Sequence, residues 1–282
     1  MNIIDLLTYP FVQRALIAGV ISGALLAIFG VYVSLRKMSF FSEGIAHASL
    51  AGVAIGILLG QEPVLWAAFY SVLFASTVYY LEKKTRLSPD SLIGILFTSS
   101  LALGVLLINL KSGYQPDLLS FLFGNILTIR SIDLVVIAIA ALLIGSVLVL
   151  KRKQYLLLAL NKELAQVSGL RVEWLSYLLY VLLALAVVLG IKVLGIVLVS
   201  ALLIIPTAAA KLFSATVKSL FVLSVVFAEL SVLIGMAVSL LFNLPSGSCI
   251  ILAATALFFG GFLIISFSSP TRRSSPRAAD WK

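Results

Sequence analysis

Long apolar runs, broken by short clusters of charge, organise this chain from end to end. Their lengths fall near the roughly 20 residues that an α-helix needs to cross a bilayer. Nine such runs predict nine spans, at about 11–35, 39–60, 64–81, 90–110, 132–150, 174–191, 194–210, 218–242 and 247–267. Segments 116–130 and 190–195 are ambiguous, so eight spans is the alternative. Residues 118–128 are apolar but too short to cross, as in a re-entrant or interfacial segment. Residues 1–10 read as a short interfacial stretch ending at Pro10. The pattern predicts an all-α polytopic membrane protein with one transmembrane domain over 1–267. A Ser/Pro/Arg-rich, disordered cytoplasmic tail follows over 268–282.

Composition supports this division. Of 282 residues, 62% are hydrophobic and only 11% charged, and the mean hydropathy is +1.18. A water-soluble surface needs far more charge. The net charge of +9 reads as loop charge facing the cytoplasm and contacting lipid headgroups, with no nucleic-acid partner. Segments 36–37, 82–86, 151–171, 211–218 and the tail hold every Lys and Arg except Arg14, Lys111, Arg130 and Lys192. That asymmetry puts the N-terminus outside and the C-terminus inside. The N-terminus has no basic stretch followed by a small-residue cleavage site, so the first span is expected to be kept. The single cysteine, Cys249, excludes an intrachain disulfide and reads as packing.

Little in the chain suggests catalysis. It has no Gly-x-x-x-x-Gly-Lys-Ser/Thr loop, so uphill transport would draw on an ion gradient or on another polypeptide. The sharpest feature is Glu43 with the only histidine, His47. Four residues apart on a helix, they share a face. With the second span starting near Ser39, they lie about 6 and 12 Å into the membrane. A carboxylate and an imidazole there can hold a divalent cation transiently, whereas a tight zinc site wants four ligands. The competing reading is a hydrogen bond between packed helices. Gly44, Ala48 and Gly52 follow at four-residue spacing and allow close helix approach.

Other positions carry weaker signals. Glu229 sits near the middle of the eighth span and is a possible path residue. Pro206 is expected to kink or break the seventh span, and broken helices often line substrate routes. Lys192 lies at a tight outer turn where it can snorkel. Asp117 and Asn125 near the outer face can meet a partner or face water. The stretch Asn161-Lys162-Glu163-Leu164-Ala165-Gln166-Val167-Ser168-Gly169 reads as a short cytoplasmic helix and turn, either a plain connector or a dock for a cytosolic motor.

Three segments together resemble the membrane permeases of metal-ion ABC importers, with the wording closest to zinc-uptake permeases. They are Arg36-Lys37-Met38-Ser39 through Ala51-Gly52-Val53-Ala54, Leu118-Leu119-Ser120-Phe121-Leu122-Phe123-Gly124-Asn125-Ile126-Leu127, and Val193-Leu194-Gly195 through Leu202-Leu203-Ile204-Ile205-Pro206-Thr207-Ala208-Ala209-Ala210. They keep the family's order and spacing. The resemblance implies a type II importer transmembrane domain in a bacterial or archaeal cytoplasmic membrane. It implies a homodimer, with a separate cytosolic ATP-binding subunit and an extracytoplasmic metal-binding protein as partners. The family's acid on the second helix is an aspartate; Glu43 replaces it here and reaches one methylene further. His47 matches the family's path histidine, and 161–171 matches its ATPase-coupling segment. The chain itself is then no enzyme and keeps no permanent cofactor. Zinc is the preferred cargo, with manganese or iron possible. A gradient-driven secondary metal transporter is the alternative, as is a non-transporting scaffold.

Overall fold

The computed structural model of the protein describes residues 8–110 and 129–268. The expected re-entrant segment 118–128, with Asp117 and Asn125, and the tail beyond 268 lie outside the described residues. Within them the chain is helical, without a strand. The helices are α1 (Pro10–Leu35), α2 (Phe41–Leu59), α3 (Pro63–Lys84), α4 (Pro89–Asn109), α5 (Ser131–Leu150), α6 (Arg152–Leu160), α7 (Lys162–Val167), α8 (Val172–Leu194), α9 (Ile196–Phe213), α10 (Val217–Phe242) and α11 (Ser246–Ser268). All but α6 and α7 are long and apolar enough to cross a membrane, giving nine candidate spans among the described residues.

Local chemistry sets the helix ends. Proline opens α1, α3 and α4 at the position where its missing N–H costs nothing. Ser88 caps α4 by accepting from the Ser91 N–H, and Thr216 caps α10 by accepting from the Ser219 N–H, each at 3.2 Å. α1, α8 and α9 are the most buried spans and form the centre; α4, α5 and α11 are the most outward. An apolar side chain facing lipid is as comfortable as one facing protein, so outward faces stay hydrophobic.

The small-residue stripe of α2 does what its spacing predicts. A Cβ at Gly52 would sit 2.5 Å from the Trp66 carbonyl oxygen, and one at Gly44 would sit 2.5 Å from Ile93. The glycines therefore let α2 lie directly on α3 and α4. The tightest approach is elsewhere. A Cβ at Gly30 would fall 2.0 Å from the Leu203 carbonyl oxygen and 2.6 Å from Thr207 Oγ1, where α1 meets α9. Backbone cannot yield as a side chain can. Gly30→Ala is therefore expected to cost about 1–3 kcal/mol through overpacking, read as a lower Tm of the purified protein. An unchanged Tm would contradict this packing.

Of the kink or break expected at Pro206, the break does not occur. α9 runs uninterrupted from Ile196 to Phe213 with Pro206 inside it. The turn expected between the sixth and seventh spans falls at Gly195, whose φ of 82° and ψ of 163° belong to a region open essentially to glycine alone. Proline removes one backbone hydrogen bond, which a packed membrane helix tolerates; the backbone of Gly195 reverses the chain. The turn between α8 and α9 is also recessed. Gly190 packs beside Leu26, and Leu26 lies about 24 Å along α1 from Pro10 at 1.5 Å per residue. α9 therefore begins well short of the Pro10 end of α1.

Candidate metal path

Phe41 starts α2, so Glu43 falls in the first turn and His47 one turn later. An acid in the first turn complements the positive end of the helix dipole. The Glu43 Oε1 and His47 Nε2 atoms lie 3.4 Å apart, with the carboxylate side chain 46% exposed and the imidazole 20% exposed. The pair is thus walled by protein on one side and open on the other. Such half-open placement leaves lone pairs free for a passing cation, which a fully satisfied packing hydrogen bond does not.

Neighbouring helices complete the wall. The His47 ring lies 5.1 Å from that of Phe97 on α4, which limits its rotation. Ser200, near the start of α9, approaches the Glu43 carboxylate. Its buried hydroxyl closes no well-aligned hydrogen bond there or elsewhere. The recessed turn at Gly195 explains the meeting: a helix starting level with Pro10 would place Ser200 farther along α1 from the first turn of α2. Ser200 and Phe97 carry no signal in the sequence, because their contribution depends on which helices pack together. Among the described residues no three His, Cys, Asp or Glu side chains converge on a metal-sized site. The pair is open and under-coordinated.

The other sequence candidates fall elsewhere. Glu229 lies on α10 against Gly23 of α1, its Oε1 3.6 Å from where a Gly23 Cβ would be. Both its carboxylate oxygens are buried without a hydrogen-bond partner. Pro206 is buried within α9. Lys192 pairs with Asp133 at 2.7 Å, joining the end of α8 to the start of α5. Residues 161–169 form α7, its two caps and the glycine that follows, with Ala165 fully buried and the other eight positions exposed.

Among the described residues, nine helices long and apolar enough to cross a membrane, one of them carrying a half-open acid–imidazole pair, mark a polytopic membrane protein. Residues 8–265 match the ABC 3 transport family, and the chain belongs to it. It is 37% identical to the manganese transport system membrane protein MntC of Listeria monocytogenes over 92% of each chain. It is 32% identical to the high-affinity zinc uptake system membrane protein ZnuB of Haemophilus influenzae, over 86% of this chain and 94% of that one. The solved structure of PsaBC from Streptococcus pneumoniae in complex with Fab superposes with a TM-score of 0.81 at 33% identity, covering 92% of this chain and 94% of that one.

Proposed function

We propose that this chain is the permease subunit of an ATP-driven importer, and that a divalent metal ion crosses the cytoplasmic membrane by way of Glu43 and His47. The observation that carries this reading is the half-open pair 3.4 Å apart on α2, in a chain of the ABC 3 transport family. A site with few ligands holds a cation weakly enough to release it, as transport requires. Two copies related by a twofold axis would bring two such pairs to one path. ATP hydrolysis belongs to a separate cytosolic subunit docked on α7, and an extracytoplasmic binding protein delivers the ion. Glu229 stays a candidate path residue, supported by its two unpartnered oxygens.

Manganese is the cargo this reading puts first, ahead of the zinc suggested by the sequence wording; iron comes third. One imidazole, one carboxylate and a nearby serine hydroxyl make an oxygen-weighted set, and oxygen ligands suit manganese. The relative of higher identity also carries a manganese name, the zinc-named one being more distant. The test is uptake by the permease reconstituted with its ATPase and binding protein. Manganese accumulation that requires ATP is expected, with zinc competing. Accumulation without ATP would leave a gradient-driven carrier, and uptake of zinc unaffected by excess manganese would reverse the order of metals.

A further inference from the structure

Just below the Glu43–His47 pair, on the cytoplasmic side, four chain segments meet at one phenol. Tyr180 of α8 is 1% exposed. Its hydroxyl donates to the Glu82 carboxylate at the end of α3, with Met38 Sδ 3.4 Å from the same oxygen. The Arg36 guanidinium lies 5.3 Å from the centre of its ring. Phe41, the first residue of α2, packs edge-on against that ring with centroids 4.8 Å apart. Arg36 also keeps one buried guanidinium nitrogen without a partner. A carboxylate at the hydroxyl and a cation over the ring are each attracted to this side chain. Packing alone needs neither.

The cluster also faces the segment assigned to the ATPase. Arg36 and Glu82 line a cleft of about 110 Å³ together with Lys162 and Gln166 of α7 and Glu173 of α8. The Lys83–Glu173 ion pair at 2.7 Å ties α3 to the first turn of α8 beside it. A displacement of α7 therefore bears on the charged groups that hold Tyr180, and Tyr180 holds the start of the helix that carries Glu43 and His47.

We propose that Tyr180, gripped by Glu82 and Arg36, is a latch that keeps the cytoplasmic end of α2 closed until movement of α7 releases it. This rests on the reading of Glu43 and His47 as the metal path. Tyr180 is a positioning residue: it touches no metal, and it acts through Phe41 and the first turn of α2. Tyr180→Phe keeps the ring and removes the hydroxyl, so the fold should hold.

The experiment uses proteoliposomes with the assembled importer. It reads manganese imported per ATP hydrolysed and ATP-independent manganese leak from preloaded vesicles. Losing a hydrogen bond to a charged group is expected to raise the leak about tenfold and to lower the metal moved per ATP about tenfold. Glu82→Gln, which keeps an acceptor oxygen, should move both in the same direction by less. Wild-type leak and stoichiometry in Tyr180→Phe would overturn the latch, as would a lower Tm with both ratios unchanged. Glu43→Ala and His47→Ala serve alongside. Normal uptake in those two would refute the path reading, whereas lost uptake in them with wild-type ratios in Tyr180→Phe would refute the latch alone.

Discussion

His47→Ala is expected to reduce ATP-driven manganese uptake by at least about 30-fold. Removing one partner of a paired, partly desolvated site costs about 2 kcal/mol or more, and each 1.4 kcal/mol is a factor of ten. The 46% exposure of Glu43 places the figure at the low end of that range, since water screens the remaining carboxylate. No other imidazole exists in the chain to substitute. Glu43→Gln should fall nearly as far, because the amide loses the charge that attracts the cation. Glu43→Asp should keep most of the uptake. It retains the charge on the same helix face, and the half-open site gives a cation room to follow the shorter side chain. Uptake by vesicles matched for assembled complex checks all three. Wild-type uptake in His47→Ala would remove the pair from the path. A Glu43→Asp variant as inactive as Glu43→Gln would show that reach, not charge, sets the site.

The pair was legible because helical periodicity alone places residues 43 and 47 on one face, and because an ionisable residue in a lipid-spanning run stands out. The spans were legible for the same reason: a bilayer demands length and apolarity, both readable along the chain. α8 and α9 extend two or three residues past the predicted ends, to Val172 and Phe213, since charged residues flanking a span still continue its hydrogen-bond ladder. The absent break at Pro206 is more instructive. Pro206 carries an obvious local penalty, yet the helix runs through it; the turn between the sixth and seventh spans was legible from Lys192, but not that a left-handed backbone at Gly195 makes it. Ser200 and Phe97 were invisible because their partners are more than a hundred and fifty and about fifty residues away, respectively, along the chain. The Tyr180 cluster was hidden likewise. Arg36 and Glu82 read as ordinary loop charges until α3 and α8 bring them to one phenol.

Val167→Asp is expected to cut ATPase retention on the purified permease by at least about tenfold, and Leu164→Asp with Val167→Asp to abolish it. α7 has six residues, too few for a helix to hold by itself in water. Both ends are fixed all the same. The Asn161 side chain accepts from the Leu164 N–H at 2.9 Å. At the other end the Gly169 N–H donates to Gln166 and the Leu170 N–H to Ala165, each at 3.1 Å. That pairing, with φ of 76° at Gly169, is the Schellman arrangement. Ala165 is fully buried, while Leu164 is 52% and Val167 86% exposed. The result is a rigid knob with one small side chain turned into the permease and two aliphatic ones turned away. A plain connector in water has no use for that arrangement, and burying such side chains against a partner is worth about 1.5–3 kcal/mol each. A buried aspartate reverses the sign of that contribution. Gly169→Ala separates shape from surface: it leaves Leu164 and Val167 untouched but strains the left-handed position by about 1–2 kcal/mol, so it should weaken retention less than Val167→Asp. Co-purification of the two subunits reads all of these variants, with uptake as a second measure. Full retention in the double variant would return residues 161–169 to the role of a linker and place the ATPase contact elsewhere on the cytoplasmic face.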